Sequence, residues 1–326
     1  MLDWGRCLAM MAFAAFTAVP AFAQDAARAT ATNIRVAIVS RTVFYVPLWI
    51  AAQAGYFQKA GLKVDIEVFD NAEKIAEALR SGSVQIAIST PETVIIDALK
   101  GGDLRIIAGN AERLPHFVIA KQEIKSPSQL KGAVFGVLSL NEGTTYLVHE
   151  YARSIGLREG DYKVEQVGGA PTRWKLLREG KIDAGLQPFP LSYEAEAAGF
   201  TNLGPLAKVV PEWQFTSVNA SRRWAETNRA AVTAFLAALK QGTDTMQSNR
   251  ALTVEVAARE LRTTPELAGR ALDDTGSLRI LSQTLAPSET GLRTVLASLV
   301  ATQQLASGTP FEMDKFVDIT YLRPAR

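Results

Sequence analysis

From residue 33 onward the apolar positions switch between two periods. Residues 34–39 are a β-branched run, and residues 63–69 alternate, with Val64, Ile66 and Val68 on one face and Asp65 and Glu67 on the other. Between them, residues 47–60 carry Leu48, Ala51, Ala52 and Phe57 at helical spacing and stop at Gly61. Asn71 caps a helix running to Arg80, Gly82 ends it, and residues 84–89 form another strand. Thr90-Pro91-Glu92 opens the next helix, with Thr at the N-cap, Pro at the first helical position and an acid in the first turn. That helix ends at Gly101-Gly102, and residues 105–108 are a further strand. Strands alternating with helices in this way predict a largely parallel sheet covered on both faces.

The pattern then restarts. Residues 126–132 form a short helix or turn, followed by strand 134–139, helix 144–156, strand 162–167, helix 171–179, strand 182–186 and helix 191–198. Leu79-Arg80-Ser81-Gly82-Ser83-Val84 parallels Leu177-Arg178-Glu179-Gly180-Lys181-Ile182, and the strand ending at Ser40 parallels the one ending at Ser139. Chance similarity of helix–glycine–strand segments is the alternative, and the matching order of elements around both segments weighs against it. Residues 213–219 read as extended, and helices follow at 228–246, 252–261, 265–275 and 287–305. These helices have no parallel strands of their own and need an existing sheet to cover. The expected organisation is α/β with two lobes, each a mostly parallel sheet flanked by helices. Lobe 1 is discontinuous (34–118 and 217–326), lobe 2 is continuous (119–216), and the two chain crossings form a hinge.

Composition narrows the functional classes. The 326 residues carry 35 Lys and Arg against 33 Asp and Glu, a net charge of +2, too small for a protein held to nucleic acid by a basic face. A single cysteine excludes a disulfide framework and cysteine-rich zinc sites. Two histidines, His116 and His149, leave little for a metal centre or a histidine relay, and both read as structural. At the start of the chain, Arg6 precedes an uncharged apolar stretch over residues 8–23 that ends in Ala21-Phe22-Ala23. This reads as a signal peptide cleaved after Ala23, with 24–33 as a flexible leader. The alternative, a membrane anchor, needs a longer apolar run than this one, which Pro20 interrupts. Cleavage removes Cys7, so the expected product is exported, free of thiols and monomeric.

Ligands of open parallel sheets sit at the carboxyl ends of the strands, and two facing lobes make a cleft there. The candidate ligand contacts are therefore loop residues. In lobe 1 they are Ser40, Arg41, Phe44, Tyr45, Thr90, Pro91, Glu92 and Asn110; in lobe 2, Asn141, Glu142, Gly143, Thr144, Thr145 and Gln187; and Trp213 lies near the second crossing. Asn141 to Thr145 opens a helix whose outward N–H groups accept carboxylate, sulfonate or phosphate oxygens. Each residue also has a plainer role open to it. Thr144 and Thr90 can cap helices, Glu92 can complement a helix dipole, Arg41 can be solvated, Phe44 can be core, and Trp213 can pack the hinge. No dinucleotide loop, phosphate loop, zinc-protease or nucleophile-elbow motif is present, so no catalytic residue, cofactor or metal is expected. Binding explains the chain better than turnover.

The run Pro47-Leu48-Trp49-Ile50-Ala51-Ala52-Gln53-Ala54-Gly55-Tyr56-Phe57-Gln58-Lys59-Ala60-Gly61-Leu62 carries a resemblance. So do residues 79–87, 130–137 and Gly180-Lys181-Ile182-Asp183-Ala184. On these the chain resembles periplasmic solute-binding proteins of ABC importers, of the nitrate/sulfonate/taurine type that includes binders of thiamine pyrimidine precursors. The likeness covers residues 34–220 well and the remainder loosely. It implies a Venus-flytrap fold that closes on a small molecule and delivers it to permease subunits in the membrane. It also implies ligand contacts from the loops here formed by Ser40 to Tyr45, Ser89 to Glu92 and Asn141 to Thr145. The expected ligand is an organic anion, such as a sulfonate or carboxylate, or a heteroaromatic. An extracytoplasmic sensor of the same fold and an exported enzyme are the alternatives. A related fungal branch that consumes its own histidine needs a cysteine-rich segment that this chain lacks.

Overall fold

The structure is a computed structural model that describes residues 31–69, 71–140 and 143–323. The stretch read as a signal peptide, most of the expected leader, Asn141 and Glu142 lie outside the described residues. Along the chain the strands are β1 (Thr32–Ile38), β2 (Leu62–Val68), β3 (Ile86–Ser89), β4 (Leu104–Ala111), β5 (His116–Ala120), β6 (Val134–Val137), β7 (Lys163–Gln166), β8 (Ala184–Pro188), β9 (Thr201–Pro205) and β10 (Thr216–Ser221). The first seven helices are α1 (Val46–Gln53), α2 (Tyr56–Lys59), α3 (Ala72–Ser81), α4 (Glu92–Leu99), α5 (Gly143–Ser154), α6 (Ala170–Arg178) and α7 (Leu191–Ala197). The later ones are α8 (Arg222–Thr227), α9 (Arg229–Ser248), α10 (Arg250–Leu261), α11 (Pro265–Ser277) and α12 (Glu289–Ala301).

The strands form two five-stranded sheets, in the orders β2-β1-β3-β10-β4 and β7-β6-β8-β5-β9. Each is the same plan with one substitution against an all-parallel sheet: β10 in the first and β5 in the second run antiparallel to both neighbours. The connections explain this. β4 leads into β5, and β9 into β10, without an intervening α-helix. A chain that leaves one sheet at its cleft edge enters the other at the cleft edge too, so it must run away from the cleft. That is opposite to strands whose carboxyl ends face it. Alternation along the sequence could not reveal this reversal. β5 also starts at His116, so its first three residues belong to the second sheet rather than to lobe 1.

Local signals set the elements. The Asn71 side chain accepts from the Lys74 N–H (2.9 Å) to start α3, and Thr264 accepts from Leu267 (3.2 Å) to start α11. In β1, Val36 pairs with Ile66 on one side and Ile86 on the other, placing a fully buried valine at the centre of the first sheet. The helix expected from Pro91 begins one residue later, at Glu92, with no side-chain capping bond. The Thr90 hydroxyl is therefore not used as a cap. Among the late helices, α9 and α10 pack on α1, and α11 packs on α10. Phe57 and Phe235 stack at 5.0 Å across the α2–α9 contact. The chain end then runs beside β4. The Ile106 N–H donates to the Phe316 carbonyl, and the Asp318 N–H donates to the Ile106 carbonyl (both 2.8 Å). Covering an edge strand in this way satisfies backbone groups that would otherwise invite another chain.

Candidate functional site

The carboxyl ends of β1 and β3 face those of β6 and β8 across the space between the lobes, and two connected hollows lie there. The outer one, ≈ 790 Å³, is lined by Val39, Val68, Phe69, Val167, Pro171, Pro190, Leu191 and Leu261, with Arg41, Arg262 and Glu194 among its polar residues. The inner chamber is much smaller, ≈ 20 Å³, and shares Val39, Ser40 and Gly169 with the outer one. Its polar wall consists of Ser40, Thr42, Thr90, Thr144, His116 and Arg173; Phe44, Phe215, Leu138 and Pro188 are apolar. Among the described residues no Asp or Glu lines it.

Arg173 gives the chamber its charge. The residue is 3% exposed, and its guanidinium donates to the Leu186 carbonyl (2.9 and 3.2 Å) and the Gly168 carbonyl (2.9 Å). These bonds fix the fork at the start of α6. His116, at the mouth of β5, is 2% exposed and packs edge-on against Phe215 at 4.7 Å. Burial, with the Arg173 charge added, pulls its imidazole down to about 3, so the ring is neutral. Its Nδ1 is buried without a hydrogen-bond partner, which costs the fold about 1–3 kcal/mol.

Behind the chamber the lobes meet directly. Glu92 is fully buried, and burial pushes its carboxyl up to about 7 against hydrogen bonds from its own backbone, the Thr90 side chain and the Gly143 backbone, with the Glu73 charge adding to the rise. A Cβ at Gly143 would collide with the Glu92 Oε1 and the Trp213 ring, so only glycine lets α5 start this close to α4. Trp213 stacks on Tyr146 at 5.8 Å, and the Ser139 hydroxyl donates to Glu73 across the gap. On the far rim, the Thr263 hydroxyl donates to Glu194 (3.1 Å), Tyr193 donates to Asp274, and the Arg270 guanidinium lies 3.8 Å from the Tyr193 ring centre.

Of the candidate contacts read from the sequence, Ser40, Phe44, Thr90 and Thr144 come together on the inner chamber, and Arg41 lies on the outer one, ion-paired to Glu260. The others take supporting places. Tyr45 is core, and Pro91 is buried ahead of α4. Asn110 donates to the Phe44 carbonyl (3.0 Å) and the Thr216 hydroxyl (2.9 Å), tying the first-strand loop to β10. The Thr145 hydroxyl donates to the Ser139 carbonyl (2.9 Å). Gln187, in the amide orientation that satisfies both ends, donates to the Ala170 carbonyl and accepts from the Trp174 N–H, each at 3.1 Å. Gly143, Glu92 and Trp213 form the interlobe contact. His116, read as structural, lines the chamber, and Arg173 was absent from the expected set. Its sequence signal was available. An arginine in the first turn opposes the helix dipole, so it needs another reason to be there.

The sequence model of the NMT1/THI5-like family matches residues 44–251, most of the chain. The chain belongs to the NMT1/THI5-like family. A relative from Brucella abortus, named as a candidate binding protein, is 27% identical over 218 residues, covering 65% of this chain and 66% of its own length. The match thus spans just under two thirds of that relative. Among solved structures, the periplasmic nitrate-binding protein NrtA of Synechocystis PCC 6803 superposes with a TM-score of 0.76 at 12% identity, covering 89% of this chain and 87% of NrtA. The ligand-binding component of an ABC-type import system from Staphylococcus aureus, solved with zinc bound, gives 0.73 at 14% identity, covering 90% and 99%. At these identities the likeness is one of fold. This NMT1/THI5-like chain has the two-lobed periplasmic-binding-protein fold, a fold that supports ligand binding between its lobes.

Proposed function

We propose that the protein is an exported receptor that captures a small organic anion between its lobes and delivers it to an ABC permease. One observation carries this reading. A small hydroxyl-lined chamber that holds the Arg173 side chain opens into a larger apolar one through shared walls at Val39, Ser40 and Gly169. That arrangement suits a molecule with one acidic head and an apolar body, such as a carboxylate or sulfonate on an alkyl or aryl frame. The import-system component and nitrate-binding protein with the same fold support delivery to a permease, and the apolar stretch ending at Ala23 supports a periplasmic location. The crossings at residues 112–115 and 206–215 serve as the hinge in this reading.

Thermal-shift screening followed by calorimetry tests it. The panel is alkyl and aryl carboxylates and sulfonates, with nitrate as the bare anion. The expected result is stabilisation that grows with ligand concentration for one series of acids and is weaker for nitrate. No stabilisation by any member would overturn the reading.

A further inference from the structure

Glu92 is sealed from water by both lobes at once. It starts α4, in the lobe of the first sheet, and is 1% exposed. Part of its cover comes from the other lobe: the Gly143 N–H of α5 bonds the carboxyl, and a Cβ at Gly143 would collide with its Oε1. The Trp213 ring, from the second crossing, reaches the same spot. Beside it, Glu73 of α3 accepts from the Ser139 hydroxyl of the second lobe. The lobes therefore meet on this side over two carboxylates from the first lobe, and closing them takes Glu92 out of water. The Glu73 charge acts on Glu92, and among the described residues no cation is ion-paired to it. Lys74 follows Glu73 on α3, and Tyr146 of α5 stacks on Trp213. α12, which also packs on α4, carries Glu289 and Arg293 paired to each other at 2.6 Å.

We propose that Glu92 is a proton-binding site coupled to closure of the lobes: the closed protein holds a proton on this carboxyl and the opened protein releases it, so capture of a solute takes up a proton. The step from closure to capture rests on the receptor reading above; the coupling of the proton to closure needs no ligand. Parting the lobes takes Gly143 off the carboxyl and lets water reach it, and a solvated carboxyl returns to its ordinary value of 4.5. In the closed form burial, with the Glu73 charge added, holds it at about 7. Between those two values the closed form keeps a proton that the opened form has lost. Closure is therefore fully helped below the window, loses that help as pH rises through it, and has none above it. A solute that binds the closed form is held less tightly as the pH rises. Histidines do not mask the effect, because burial holds both His116 and His149 below their usual value. Glu112, at the first crossing, is also raised by burial, against the pull of Arg113, so the test needs a variant that changes Glu92 alone.

Small-angle scattering without ligand, at pH 5.5 and pH 8, tests the coupling on wild type and on Glu92→Gln, a neutral isostere of the same volume. Wild type is expected to show the larger radius of gyration at pH 8, and Glu92→Gln to keep the compact value at both. Equal wild-type radii at the two pH values overturn the proposal. The same expansion in both proteins overturns it too, and assigns the change to Glu112 or another group. Calorimetry carries the test to capture, using the tightest-bound sulfonate of the panel, whose own acid group does not titrate in this range. Wild-type affinity should fall about tenfold or more from pH 5.5 to pH 8, the scale set by a carboxyl displaced by more than one pH unit, and Glu92→Gln should change little. A fall of equal size in both proteins counts against the proposal. If wild type binds neither sulfonate nor carboxylate, the receptor reading fails, and the scattering comparison still decides the proton site. Should Glu92→Gln not fold, Glu73→Gln takes its place. It removes a charge that raises Glu92, so expansion should begin at lower pH than in wild type, and an unmoved transition overturns the proposal.

Discussion

At the scale of single residues, Glu92 is the group whose environment most disagrees with its chemistry. Buried at the contact between the lobes, its carboxyl is raised from the ordinary range to about 7. Between the ordinary value and 7 the folded chain keeps a proton that the unfolded chain gives up. Stability therefore falls as pH rises through that window, and the loss is complete above it. Glu92→Gln, a neutral isostere, should flatten this slope and make the protein more stable than wild type at pH 8, on the order of 2 kcal/mol, with little difference at pH 4.5. Denaturant unfolding across pH 4.5–8 checks it, and equal slopes for the two proteins would contradict it. Glu92 was legible as a helix-start acid near the cleft. Its desolvation was not, because that comes from Gly143 and Trp213, which reach it from distant parts of the chain. Arg173 was no candidate, and His116 read as structural, for a related reason: the loops at the carboxyl ends of strands do not include a helix's fourth residue or a strand's first.

At the scale of elements, the approach of α5 to α4 hinges on the missing side chain at Gly143. Gly143→Ala should push the start of α5 off Glu92 and Trp213, costing about 1–3 kcal/mol of stability. It should also weaken acid binding, since Thr144 moves with the helix. Denaturant unfolding and calorimetry measure the two effects, and a variant with wild-type values in both would show that the contact yields freely. The elements themselves were largely readable. β2 alternates from Leu62 to Ile66 in sequence as it does in the sheet, while Val68, expected on the same face as Val64 and Ile66, is exposed; Asn71 and Gly82 mark helix ends where the structure has them. The direction of β5 and β10 was not readable, because strand polarity depends on which edge the chain crosses and leaves no mark on periodicity.

At the scale of the whole molecule, contacts between the lobes flank the two hollows on either side: Ser139 with Glu73 and Gly143 against Glu92 on one, Thr263 with Glu194 and Tyr193 with Asp274 on the other. A solute enters so narrow a chamber only if these contacts part, so the apo protein should populate an opened form. Small-angle scattering should then show a smaller radius of gyration with a bound acid than without, and Tyr193→Phe should enlarge the ligand-free value. Identical scattering curves in both states would argue for a rigid cleft.

The placement of β10 also bears on how the polypeptide is made. All five strands of the second sheet fall within residues 116–205, an unbroken stretch, whereas the first sheet keeps a slot between β3 and β4 for residues 216–221 and an outer seam for residues near 316. During synthesis from the amino end, the half that begins first is therefore completed last, because its non-local pairings await chain not yet made. Under the proposed export, in which the polypeptide is threaded through a membrane before folding, that delay keeps the leading half loose enough to pass.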